Sequence, residues 1–148
     1  MSTTYESEGT QSTDCAECGA ASEAGLSCSE RLGILFAWEH QDPDLLGVHF
    51  LTVASYNLQH PAQFTDSAIA GLRRAFIDRL DRGISIEAIR RRASAATEGS
   101  TRVLRREGER RPVRRAWTVT IADVCIAEQP AGAADRVRHW AAAIRAEL

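Results

Sequence analysis

One hundred and forty-eight residues with 44% apolar content suit a single soluble domain able to bury a core. No stretch approaches the roughly 20 apolar residues that span a bilayer. Net charge is −2, yet it is unevenly spread: residues 1–66 hold ten acids and one arginine, residues 73–115 fourteen arginines and six acids, and lysine is absent. In chain order, residues 1–14 are Ser/Thr/Glu-rich, with no apolar run after a basic start, and read as a disordered leader rather than a secretory signal. Residues 15–28 contain Cys15, Cys18 and Cys28 and form a compact knuckle, with Gly19 and Gly25 allowing its bends. Ser27 or Ser29 caps a first helix, with Glu30 early in it and Leu32, Leu35, Phe36 and Glu39 on one face. Asp42-Pro43-Asp44 turns the chain and starts a second helix running to about Gln59, stopped by Pro61.

Thr65-Asp66 opens a third helix reaching about Arg82, ended by Gly83, and Ser85-Ile86-Glu87 opens a short fourth to about Thr97. Residues 98–116 are a charged, glycine-containing loop, expected to be mobile. Trp117 to Ile121 has strand-like composition but no obvious partner strand, so a short helix capped by Thr120 or Asp123 competes with it. A last helix follows Pro130, with Val137, Trp140, Ile144 and Leu148 as its core stripe. The expectation is an all-α domain over 15–148, of about five helices: a helical hairpin plus a bundle, with a zinc-knuckle-like segment at its N-terminal end.

The cysteines carry the most chemistry. Four of them without a signal peptide point to a reducing, cytoplasmic setting, where a CxxC plus a third cysteine reads as a metal site rather than a disulfide framework. Cys125 stands alone in an apolar run and reads as a small buried hydrophobe. A closed structural zinc site needs a fourth ligand, and helix rise selects it. Cys28 lies about 15 residues before the hairpin turn and His60 about 16 after it, roughly 22 and 24 Å along antiparallel legs, so they meet at one level. His49 lies about five residues after the turn, some 14 Å too high. Cys15, Cys18, Cys28 and His60 are therefore the expected Zn²⁺ ligands. A redox CxxC is disfavoured because no strand precedes it.

The same hairpin symmetry sets His49 opposite Glu39, the one acid/base couple that geometry places, and a structural pair is its plainer reading. His40 at the hairpin tip and His139 beside Trp140 read as solvated. Tyr56 and Gln59 are expected between knuckle and helices, Tyr56 being the residue to watch if a pocket exists there.

The order CxxCG, a cysteine ten residues on, a helix-ending glutamate and then VHFLTVASYNLQHP resembles a bacterial and archaeal domain family of unknown function, family 5946. Its core H-x-L-T-V-x-x-Y-x-x-Q-H-P is matched by His49, Leu51, Thr52, Val53, Tyr56, Gln59, His60 and Pro61. Trp117–Val124 and Arg136–Leu148 resemble its C-terminal part. The resemblance implies a mostly helical, metal-binding fold and supplies no reaction.

Two functions compete. One is a zinc-stabilised binding module meeting an acidic protein, a nucleotide or a nucleic acid through the Arg-rich segment 73–115, since guanidinium is a rigid fork for carboxylate and phosphate. Interrupting acids and scarce aromatics nevertheless favour plain solvated helix faces there over a nucleic-acid surface. The other is a metal-dependent enzyme using His49, Glu39 and Tyr56, which would need an open coordination position. Nothing in the sequence specifies an oligomer.

Overall fold

A computed structural model describes residues 14–21, 25–97 and 102–148; most of the expected leader lies outside them. Among the described residues there are seven α-helices and no strand, only an isolated antiparallel bridge between Phe64 and Leu104. The helices are α1 (Cys28–Glu39), α2 (Pro43–Gly47), α3 (His49–Gln59), α4 (Asp66–Arg82), α5 (Ile86–Thr97), α6 (Ile121–Val124) and α7 (Ala133–Glu147). None is long and apolar enough to cross a membrane.

Local chemistry sets the boundaries. Ser27 and Glu30 form a reciprocal capping box at α1, each side chain accepting the other's backbone N–H at 3.1 Å. Asp42 Oδ1 accepts from the amides of Asp44 and Leu45, with Pro43 in the first turn of α2. Thr65 caps α4, and Gly83 ends it in the left-handed region at φ 64°.

The expected single helix from Pro43 to Gln59 is two helices. Val48, at φ −108° and ψ 19°, breaks the run between α2 and α3. Nothing in the apolar spacing marks this break, because β-branched Val48 is tolerated in a helix and Gly47 alone is weak punctuation. Trp117 to Ile121 forms no strand. Without a partner strand its backbone groups have no ladder, and Thr120 and Asp123 instead make a second capping box that starts α6.

The helices surround Trp140 on α7, which is fully buried with Val137, Ala141 and Ile144 of the same helix. Helix α3 packs between α7 and α4, while α6 bridges α7 and α1. Leu35, Leu45, Ala54, Phe76, Ile121 and Val124, all at 0% exposure, close the core from the other helices. Arg145 of α7 forks onto Asp81 of α4 at 2.8 to 3.2 Å, holding the carboxyl of Asp81 below its ordinary range. This packing fixes the C-terminal end of α3 against the start of α1, where the knuckle sits.

Residues 102–117 form a strap across one face of the bundle. Thr65 and Arg105 donate their backbone N–H groups to Val103 and Gln63 at 2.8 and 2.9 Å. Arg115 N–H donates to Glu17 of the knuckle at 3.0 Å.

Candidate metal centre

Cys15, Cys18, Cys28 and His60 converge from three parts of the chain. One donor atom from each lies within 4.8 Å of all the others, so the group could hold a metal ion. Cys15 and Cys18 come from the knuckle, whose turn is closed by Gly19 N–H to Cys15 O at 3.0 Å and Cys15 N–H to Ala20 O at 2.9 Å. Cys28 opens α1, and His60 is the residue at which α3 stops. Cys18, Cys28 and His60 are buried, and Cys15 is half-buried.

The donors are aimed. His60 Nδ1 donates to the carbonyl of Tyr56 one turn back, at 2.7 Å, which leaves the Nε2 lone pair facing Cys15 Sγ at 3.5 Å. Cys18 Sγ lies 3.6 Å from Cys28 Sγ and accepts the Ala20 amide at 3.4 Å. Tyr56 also stacks its ring on His60, with centroids 4.1 Å apart at 21°. The supporting carbonyl follows from the i, i−4 spacing of a helix end, a signal the sequence reading passed over.

The donors perturb one another's protonation. The Cys18 thiol is pushed up to about 12, first by its hydrogen bond to Cys28 and then by burial. Cys28 moves the other way, lowered chiefly by the same bond while burial opposes. Burial pulls the His60 imidazole down, but Cys18, the Tyr56 carbonyl and the neighbouring thiolate charge outweigh it, and its pKa rises to about 9. Arg31, 4% exposed, donates from Nη2 to Ala21 O at 2.9 Å and places a buried positive charge near Cys28. A guanidinium there would offset the excess negative charge of three thiolates around a divalent ion.

Gly19 is essential to the knuckle's shape. Its φ of 75° is left-handed, and a Cβ would meet the Arg114 guanidinium at 3.2 and 3.3 Å. Gly19→Ala is expected to cost about 1–2 kcal/mol in thermal unfolding and to weaken metal retention measured by chelator competition.

The other singled-out residues separate from this centre. His49 Nδ1 donates to both carboxylate oxygens of Glu39, at 2.8 and 2.9 Å. Glu39 is 8% exposed and His49 47%, with the Phe36 ring 5.4 Å from the imidazole. Neither residue joins the metal-ligating group. Tyr56 lies seven residues along from His49, about 10 Å of helix rise, and its hydroxyl is pushed up to about 12, mainly by burial. His40 and His139 are exposed. Cys125 is half-buried against the core, and burial raises its thiol.

Gln59 has a role that composition did not reveal. It is 1% exposed, its Nε2 donates to Val119 O at 2.7 Å, and its Oε1 accepts the Trp140 indole N–H at 3.1 Å. One amide thus joins α3, the segment leading into α6, and α7, beside the residue that faces the thiols.

An all-helical domain with a Cys3His group is the class these features define. Over residues 13–148 the sequence matches the family of unknown function DUF5946, and the chain belongs to that family. No curated protein matches the chain, and no solved structure does.

Proposed function

We propose that the chain is a zinc-stabilised binding module of a reducing, cytoplasmic setting, in which the ion is structural and an arginine-bearing surface meets an acidic partner. The observation that carries the metal assignment is the spacing of the donors. A tetrahedral zinc with Zn–S of about 2.3 Å and Zn–N of about 2.0 Å has S–S edges of about 3.8 Å and S–N edges of about 3.5 Å. The Cys18–Cys28 and Cys15–His60 separations, 3.6 and 3.5 Å, fit those edges. The donors are three thiols and one imidazole, the set that soft, tetrahedral zinc takes in closed structural sites. Support for a reducing setting is that Cys15, Cys18 and Cys28 are free thiols despite their closeness.

A metalloenzyme built on Glu39, His49 and Tyr56 has less to support it. A complete four-ligand shell leaves no position for a reacting water, and Tyr56 belongs to the His60 end of α3. The Glu39–His49 pair is accounted for by the need of a buried carboxylate for a donor.

Elemental analysis of the purified protein tests the reading: one zinc per chain is expected, and folded protein with none overturns it. Metal uptake is also expected to depend on pH. Cys18 and His60 hold protons up to about 12 and about 9, so an incoming ion must displace them. Affinity should tighten at least about a hundredfold per pH unit from 6.5 towards 9, one factor of ten for each of these two protons, in competition with a chelating dye.

A further inference from the structure

The arginines of residues 73–115 fall into two populations. Several are tied to the chain's own groups. Arg82 and Arg92 both face Asp78, at 3.7 and 2.8 Å, and Arg79 donates to Ile84 O. On the strap, Arg105 pairs with Asp66, Arg114 with Asp14, and Arg115 covers the Trp117 ring at 3.9 Å. Arg106, Arg110 and Arg111 are exposed, and no described residue pairs with their guanidinium groups.

Arg110 differs from the exposed arginines of α4 and α5 in what stands beside it. With Pro112 it forms one wall of an open cavity of about 280 Å³. The other wall is Tyr56, His60, Gln63 and Glu17. The fold therefore brings the aromatic surface that the arginine-rich sequence lacks, from a helix about fifty residues away in the chain. Tyr56 is backed by the stacked His60 ring, so its position is fixed. Glu17 Oε1 accepts the Ala62 amide at 2.9 Å, which orients the carboxylate, and among the described residues its second oxygen accepts no hydrogen bond.

We infer that the strap and this cavity bind single-stranded nucleic acid, one unstacked base entering beside Tyr56 while flanking phosphates meet Arg106, Arg110 and Arg111. The inference rests on the metal reading, because the ion would hold both His60 and the Glu17-bearing knuckle in place. Stacking on a fixed aromatic ring and charge-forked contact with phosphates are the two parts of single-strand recognition. The carboxylate in the wall decides against an acidic peptide. Glu17 repels an entering Asp or Glu side chain but accepts the exocyclic amino group of adenine or cytosine. The interleaved Glu107 and Glu109 leave the strap positive, with seven arginines against two glutamates over residues 102–117. A duplex presents no free base and cannot fill the cavity.

The test is fluorescence anisotropy with labelled oligo(dA), oligo(dC) and oligo(dT) of roughly 16 nucleotides, on protein first shown folded and carrying one zinc. Binding is expected at low salt, tighter for oligo(dA) and oligo(dC) than for oligo(dT), and falling linearly with log salt. The double variant Arg110→Ala/Arg111→Ala should lower the salt slope by about 1.4, at about 0.7 per phosphate contact. Tyr56→Leu should weaken binding about tenfold and leave the slope unchanged. Arg92→Ala, on α5, should change neither. No binding by zinc-loaded protein overturns the inference while leaving the metal reading intact, and so does equal binding of a duplex. Displacement by polyglutamate with Tyr56→Leu indistinguishable from the parent identifies an acidic-protein surface and overturns it as well. Folded protein without metal instead sinks the reading on which it rests.

Discussion

Cys18→Ser is expected to abolish stoichiometric zinc and lower the melting temperature by about 10 °C, and chelation of the parent protein should lower it by a similar amount. An ion that binds only the folded chain, present at about a thousand times its dissociation constant, contributes about 4 kcal/mol. For a chain of this size each kcal/mol moves the midpoint by about 2–4 °C. The loss should not reach complete unfolding, because the core around Trp140, Phe76 and Leu35 is buried without any help from the ion. Cys18 is the informative position, being 2% exposed and in contact with Cys28. Serine keeps the shape but is a poor zinc ligand. Differential scanning calorimetry with and without chelator measures the effect. An unchanged midpoint in both experiments would show that the four side chains cluster for reasons other than metal.

Gln59→Leu should destabilise the protein by about 3 kcal/mol with zinc content unchanged. Leucine nearly conserves the volume but removes both hydrogen bonds of the amide. The Trp140 indole N–H and the Val119 carbonyl would then be buried without partners, each at a cost of about 1–3 kcal/mol. Gln59→Glu is the sharper control. Its carboxylate still accepts from Trp140 but cannot donate to Val119, and it carries a charge into a site only 1% exposed. Urea titration should order the midpoints as parent, then Leu, then Glu. A Leu variant as stable as the parent would remove Gln59 as the junction of α3, the segment leading into α6, and α7.

The convergence of Cys15, Cys18, Cys28 and His60 was legible from spacing because it depends on one-dimensional quantities. Helix rise per residue levels Cys28 with His60 across the hairpin, and the break at Val48 leaves that count almost unchanged. The Glu39–His49 contact follows from the same count. Capping signals are local for the same reason: Asp42 and Thr65 stand out in the sequence, while the structure selects Ser27 over Ser29 and Thr120 over Asp123. What escaped the sequence depends on distant partners. Gln59 meets a backbone group 60 residues on and an indole 81 residues on, and no periodicity encodes either. The strap has no apolar rhythm at all. Its path is set by single backbone hydrogen bonds to residues 17, 63 and 65, and a reader of residues 98–116 sees only charge and glycine.

Cys15 and His60 are 45 positions apart, so an ion held between them would close a long loop. A nascent chain that has emerged only as far as Cys28 offers three sulfurs and an incomplete grip. Closing the loop costs chain entropy that the sulfurs alone do not repay, so durable capture waits until α3 has been made and has turned back. The strap, made later still, can settle on the knuckle only after that step. If an ion is held there, metal binding would couple the amino-terminal knuckle, and the strap bonded to it through Arg115 and Glu17, to a helix end made 45 residues later.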